Sequence, residues 1–224
     1  MAGRQIATYA LDTRGHGRSD GARGHTQSWD DLIGDLVAFH SMVRAAATGE
    51  VVPLGHSVGA SILLSAIVRE RIAPSRFVIS SPALRVKMKV PAWKLTLGQG
   101  ASRVTPGLSM KTALDADHLS RDPAVVSAYR SDPLTHDRMT VRYYTEWQRA
   151  NEEILARAGE ITVPFLASHG SDDQIIDVGG TEEFVRRAGS AAKTLKIYRG
   201  SYHEPYNDTN RQEVYADLAA WLGG

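Results

Sequence analysis

Short apolar runs alternate with longer amphipathic segments along the chain, and the two kinds of segment predict different elements. Apolar runs that end in a glycine-rich or polar stretch are typical of buried β-strands, and they stand at residues 6–11, 51–54, 76–80, 163–168 and 194–198. Apolar positions spaced three or four residues apart predict helices, at residues 28–49, 58–71, 181–189 and from 208 or 209 to 222. Strands that alternate with helices predict a mostly parallel sheet, so we expect the α/β fold class.

Two of the predicted helices carry recognisable start signals. Ser28 is followed three residues later by Asp31, which is the spacing of a capping box, and an apolar stripe begins at Leu32. Asp208 or Thr209 is expected to cap the last helix. Both signals place the start of the helix just before the first apolar residue of its stripe.

A long segment interrupts the alternation of strands and helices. Residues 84–160 separate two predicted strands, and structureless loops of that length are uncommon, so an inserted helical cap or lid is predicted. The chain then divides into an N-terminal core part at 1–83, the cap at 84–160 and a C-terminal core part at 161–224. The candidates for an apolar substrate pocket in the cap are Met88, Val90, Trp93, Leu95 and Leu97. The alternative is that these side chains form a small core of the insertion itself.

Composition and charge exclude several classes of protein. The 224 residues include 26 Lys and Arg against 25 Asp and Glu, a net charge of +1, so nothing in the balance calls for nucleic acid or an anionic partner. The chain has no cysteine, which excludes disulfides, thiolate metal sites and a cysteine nucleophile. Metal-binding and nucleotide-binding motifs are absent from the sequence, so we expect no metal and no cofactor. The first residues lack the apolar core of a signal peptide, and no apolar run is long enough to span a membrane; we therefore expect a cytoplasmic protein.

One motif has the form of a nucleophile turn. Gly55-His56-Ser57-Val58-Gly59 follows an apolar strand and opens a helix, which is the setting that lifts a serine hydroxyl out of the end of a sheet. The turn is expected to be so tight that a Cβ at either glycine would clash. The N–H of Val58, at the helix start, is the candidate oxyanion donor.

A serine nucleophile needs a base and an acid that orients the base. Asp172 and Asp173 lie just after the strand at 163–168, and His203 lies just after the strand at 194–198. The carboxyl ends of parallel strands meet at one edge of the sheet, so these groups are predicted to converge on Ser57. The chain order serine, acid, histidine is the order found in hydrolases whose serine lies at such a strand–turn–helix motif. The residues alone leave the choice between the two aspartates open.

Other histidines have weaker claims to a catalytic role. His16 is interpreted as part of a structured turn, and His56 is expected to pack or form a hydrogen bond near the serine. His169 could rival His203 as the base, but it precedes the acid and lies too close to it in the chain. The remaining four are interpreted as surface or cap residues: His25, His40, His118 and His136.

With these motifs in hand, the chain resembles the α/β-hydrolase superfamily, and within it the monoacylglycerol lipase and lysophospholipase group. The matching stretches are residues 12–21, 54–59, 131–134, 163–166 with 170–173, and 194–203. The resemblance implies that Ser57 is the nucleophile, Asp173 the acid and His203 the base. It also implies that residues 84–160 are a cap that admits an acyl chain. The substrate would be a small acyl ester or lipid, and transient contact of the lid with a membrane surface is expected.

The start of the chain departs from the family pattern. The family begins with three further strands and a His-Gly loop that supplies a second oxyanion donor, and no such donor is found in this chain. The sequence would then contain only strands four to eight of the fold. We expect an unpaired edge at residues 6–11, weakened ester turnover and a tendency to self-associate. A second interpretation is an incomplete, non-catalytic hydrolase fold, and a third is a C–C hydrolase or perhydrolase on the same fold.

Overall fold

The computed structural model describes residues 6–87, 100–112 and 114–223. Its strands are β1 (Leu54–His56), β2 (Phe77–Ser80), β3 (Ser109–Lys111), β4 (Arg138–Thr140), β5 (Phe165–Gly170) and β6 (Lys193–Tyr198). In the described ranges, β1, β2, β5 and β6 form a parallel four-stranded sheet in that order, and β3 pairs antiparallel with β4. The predicted α/β fold with a mostly parallel sheet is confirmed.

Helices cover the sheet and bridge its strands. Those with both ends described are α1 (Trp29–Ala46), α2 (Val58–Val68), α3 (Pro123–Ser131), α4 (Val141–Arg157), α5 (Val178–Arg187) and α6 (Arg211–Gly223). The capping box of α1 is confirmed, because Ser28 accepts a hydrogen bond from the Asp31 N–H and Asp31 accepts one from the Ser28 N–H. The predicted last helix is present, but its predicted cap is wrong: α6 begins at Arg211, and the buried Asp208 carboxylate instead accepts from the N–H groups of Tyr202 and Thr209.

The prediction of a buried strand at residues 6–11 is also wrong. The run forms neither helix nor strand, residues 7–12 are exposed, and half of Tyr9 is accessible to solvent. An apolar pattern alone does not make a strand, because a strand gains its backbone hydrogen bonds from a neighbour. The run pairs with no strand of the described residues, and β1 is therefore an edge strand of the sheet.

One continuous apolar core holds the sheet, its helices and part of the insertion together. Phe77 of β2 and Phe165 of β5 stack with their ring centroids 5.1 Å apart, and both are fully buried. Helix α4 packs on α2, and it adds Trp147 and Ile154 to the same core. Helix α4 therefore anchors the end of residues 84–160 on the sheet. The earlier part of residues 84–160 contains α3 and the β3–β4 pair.

Candidate active site

Ser57 lies at the strained turn between β1 and α2. Its backbone has φ 52° and ψ −122°, a positive-φ conformation that residues other than glycine rarely adopt. Its N–H donates to the Ser80 carbonyl at 2.9 Å, and its carbonyl accepts from the Ala83 N–H at 3.1 Å. These bonds fix the turn against the end of β2, so the hydroxyl is held at the carboxyl end of the sheet.

The two glycines of the turn differ in how closely they are packed. A Cβ on Gly55 would lie 2.6 Å from the Cα of Ala60, so this position admits only glycine without a backbone shift. A Cβ on Gly59 would have no neighbour within 4 Å. The expectation of a clash is therefore right for Gly55 and wrong for Gly59, because the backbone crowds the turn on one side only. Val58 is the first residue of α2, where a helix has no internal partner for its N–H.

The structure brings Ser57, His203 and Asp173 into one hydrogen-bonded chain. The His203 Nε2 lies 2.9 Å from the Ser57 Oγ, and the His203 Nδ1 lies 2.7 Å from the Asp173 Oδ2. An ionised carboxylate only accepts hydrogen bonds, so the Nδ1–H donates to Asp173 and Nε2 is left to accept from the serine hydroxyl. Both His203 and Asp173 are buried. This arrangement allows the imidazole to take the serine proton.

The register of the sheet explains why the acid and the histidine meet. Gly170 at the end of β5 pairs with Tyr198 at the end of β6, so the two following loops start side by side. The Asp172 N–H donates to the Ser201 carbonyl at 3.0 Å, which joins the loops. A Cβ on Gly170 would lie 2.2 Å from the Tyr202 carbonyl oxygen. Gly170 therefore allows the close approach of the loops, a role that sequence reasoning missed.

The aspartate pair separates into one buried and one exposed side chain. Asp172 is exposed and accepts from the Ser171 hydroxyl at 2.7 Å. Burial by itself raises the pKa of the Asp173 carboxyl, but hydrogen bonds from His169 and His203 outweigh burial and hold that pKa well below its usual range. Asp173 is thus a carboxylate at neutral pH, next to the His203 ring.

His56 is a second histidine beside the serine, as the sequence led us to expect. Its ring centroid lies 5.0 Å from that of His203, and its Nδ1 is 3.3 Å from the Ser80 hydroxyl. Burial, followed by the charges of neighbouring groups, lowers the pKa of His56 to about 3. A neutral His56 packs against His203 without competing for its proton.

A cavity of about 240 Å³ lies beside Ser57, between the turn at residues 12–21 and the insertion. His16 lines it from the turn, and Arg138, Met139 and Tyr143 line it from the insertion. The ring centroids of His16 and His136 lie 4.7 Å apart, so the turn at residues 12–21 packs directly against the insertion beside the cavity. Sequence reasoning missed the insertion side chains, because no local motif marks residues that come close only in the folded chain.

The lid candidates Met88, Val90, Trp93, Leu95 and Leu97 lie outside the described residues. Their immediate neighbour Lys87 donates its Nζ–H to the Asp173 backbone carbonyl at 2.9 Å. The start of the insertion is therefore tied to the acid loop. In the described ranges, no group of three or more His, Asp or Glu side chains is placed to hold a metal ion. No helix of the described part combines the length and apolar composition needed to cross a bilayer.

A parallel sheet with a serine at a strained strand–helix turn, and a histidine and a carboxylate at the ends of later strands, defines the α/β hydrolases of the serine type. Comparison with known proteins agrees: the model of the family described as "Serine aminopeptidase, S33" (Hydrolase_4) matches residues 1–210. The chain belongs to this family, and it is a hydrolase.

Several of the relatives are named lipases or phospholipases. The monoacylglycerol lipase of Mycolicibacterium smegmatis is 33% identical over 222 residues, covering 97% of this chain and 78% of the relative. The phospholipase YtpA of Bacillus subtilis is 26% identical over 212 residues, covering 94% and 82%. Among solved structures, the monoacylglycerol lipase of Paleococcus ferrophilus superposes with a TM-score of 0.85 at 30% identity, covering 93% of this chain and 79% of that one. The predicted resemblance to the monoacylglycerol lipase group is confirmed.

Proposed function

We propose that the protein is a serine esterase that hydrolyses esters of a single acyl chain, with monoacylglycerols as the first candidates and lysophospholipids next. The observation that carries the proposal is the continuous hydrogen-bonded chain from the Ser57 hydroxyl through His203 to the buried Asp173 carboxylate. The names of the relatives support the substrate class.

In the proposed mechanism, His203 Nε2 takes the Ser57 proton as the Oγ attacks the ester carbonyl. Asp173 holds the imidazole in the required tautomer and stabilises its cation. The negative charge on the carbonyl oxygen is stabilised by the Val58 N–H at the start of α2. The alcohol leaves with the proton from His203, and water activated by the same residue then hydrolyses the acyl-enzyme.

The cavity beside Ser57 is proposed to receive part of the substrate. Ile62 and Met139 give it apolar surface, and Thr13, His16 and Arg138 give it polar groups. Such a mixture suits an ester whose two ends differ in polarity.

The acyl chain is proposed to run under the cap at 84–160. Replacing Trp93 or Leu97 by Ser is expected to lower activity on long-chain esters more than on acetyl esters. Equal losses on both would favour the reading that these side chains form the insertion's own core.

Exposed apolar side chains on the insertion support contact with a lipid surface. They include Val104, which is 82% exposed, and Leu108 and Met110, which are about half exposed. Large apolar side chains that are exposed together mark interaction surfaces in soluble proteins. We therefore propose that this part of the cap touches lipid aggregates while the substrate enters.

The test of the proposed function is Ser57→Ala, assayed on a monoacylglycerol and on a p-nitrophenyl ester. The variant removes the nucleophile and is expected to keep the fold, so kcat should fall by at least about 10³-fold on both substrates. Ser61→Ala, one turn further along α2, is the matched control because Ser61 is buried but lies outside the hydrogen-bonded chain. A smaller loss in Ser57→Ala would mean that another residue attacks the ester.

A further inference from the structure

His169 is a fully buried histidine that the proposed mechanism does not use. It lies near the end of β5, with both ring nitrogens in hydrogen bonds. Its Nε2 lies 3.0 Å from the Asp173 Oδ2, and its Nδ1 lies 2.7 Å from the hydroxyl of Thr181 on α5. The side chain therefore connects a core helix to the carboxylate that faces His203.

The contacts of Asp173 assign the proton on His169. The carboxylate only accepts, so His169 Nε2 must donate to it; in the neutral ring Nδ1 is then an acceptor, and the Thr181 hydroxyl donates to it. Oδ1 accepts from the N–H groups of Ile175 and Ile176 at 2.8 and 2.9 Å. Oδ2 accepts from His203 and His169 together. Four donors from three directions leave the carboxylate a single orientation.

We propose that His169 is a positioning residue: its Nε2–H, fixed by Thr181, holds the Asp173 carboxylate in the orientation that aligns His203 with Ser57. The proposal rests on the proposed esterase function, because the alignment matters only if His203 acts as the base. Without this donor, Oδ2 would keep only His203 as a partner. Oδ1 would still be held by the N–H groups of Ile175 and Ile176, but Oδ2 could shift about them and carry the His203 ring away from Ser57.

The surroundings of Asp173 contain few other groups that could replace His169. The titratable groups that face it are His203 from the loop after β6, His56 beside Ser57, and Lys87 from the insertion. Lys87 binds the Asp173 backbone carbonyl and not the carboxylate. The Thr181 hydroxyl carries no charge, and its hydrogen bond to Nδ1 fixes the tautomer of His169.

The test compares His169→Gln with His169→Leu. Glutamine can place an amide N–H near the position of Nε2, and leucine fills the space without a donor. We expect His169→Leu to lower kcat by about 10–100-fold at unchanged KM, as loss of an outer hydrogen-bond partner does at metal-bound histidines. His169→Gln should keep most of the wild-type kcat. His40→Leu, on α1, is the control for loss of a histidine elsewhere.

A second readout follows the His203–Asp173 hydrogen bond directly. We expect its short Nδ1–H hydrogen bond to give a downfield proton resonance in NMR spectra. Both His169 variants lack the other buried ring that would contribute a signal there. The resonance should persist in His169→Gln and shift or disappear in His169→Leu. Because it needs no turnover, it tests the positioning role even if the wild-type protein fails to hydrolyse esters and the proposed function is rejected.

Equal kcat values or equal resonances in the two variants would overturn the proposal, since the donor would then have no effect. If His169→Leu does not fold, Thr181→Val and Thr181→Ser take its place. Serine keeps the hydroxyl that fixes the ring, so kcat should fall in Thr181→Val and recover in Thr181→Ser. Identical behaviour of these two variants would also overturn the proposal.

Discussion

Asp172 and Asp173 are adjacent in the sequence, yet only one of them touches His203. Asp173→Asn keeps the size of the side chain but presents the wrong partner to the imidazole, so kcat should fall by about 10⁴-fold. Asp172→Asn, at an exposed position, should change kcat little. Kinetics on a p-nitrophenyl ester measure both, and a larger loss in Asp172→Asn would reverse the assignment.

The lowered pKa of Asp173 also predicts how stability depends on pH. Burial opposes ionisation, but the hydrogen bonds from His169 and His203 prevail, so the folded-state pKa lies below the unfolded value of about 3.9. The contribution of the carboxylate to the free energy of unfolding is then fully present above that value and is lost as the pH falls towards the folded-state pKa. Denaturant unfolding of wild type and Asp173→Asn should show a constant difference above about pH 5, which shrinks below pH 4. A difference that grows on acidification would contradict the assignment.

At the scale of elements, the loops after β5 and β6 work as a pair because Gly170 lets them meet. Gly170→Ala places a Cβ against the carbonyls of Ser201 and Tyr202, so we expect a loss of about 1–3 kcal/mol in the free energy of unfolding, together with lower activity. Gly34→Ala in α1, where a Cβ meets nothing within 4 Å, is the control and should stabilise the protein by about 0.5–1 kcal/mol. Thermal unfolding compares the two; equal melting temperatures would mean that the loops can separate without cost.

The elements also show where sequence patterns succeed and fail. The order of strands and helices, and the residue types after each strand, were enough to predict that Ser57, one aspartate of the pair at 172–173 and His203 converge, since parallel strand ends meet by geometry. The choice of Asp173 over Asp172 came from the family resemblance and not from the pattern. The run at residues 6–11 has an equally apolar pattern but no partner strand in the part of the chain that the structure describes, and pairing is not encoded within the run itself. Arg138 and Tyr143 line the cavity through contacts far apart in sequence, so no local signal identifies them.

At the scale of the whole molecule, the proposed lipid contact predicts a dependence on the physical state of the substrate. Leu108→Gln with Met110→Gln removes two exposed apolar side chains, so activity on a monoacylglycerol in lipid vesicles should fall several-fold while activity on p-nitrophenyl acetate in solution is retained. Met42→Gln replaces another exposed methionine, on α1, and should change neither activity. Equal losses on the vesicle and soluble substrates would argue against a surface contact.

The most direct test of the central claim is covalent labelling of the purified protein with a fluorophosphonate, followed by intact mass and peptide mapping. An activated serine is required for this reaction, and Ser57 is the serine bonded to His203. We predict a single adduct on Ser57 and no adduct in Ser57→Ala. Esterase activity should fall in proportion to the labelled fraction and be lost when every molecule is labelled. A folded protein that remains unlabelled at Ser57, or that hydrolyses esters after Ser57 is replaced, would contradict the account.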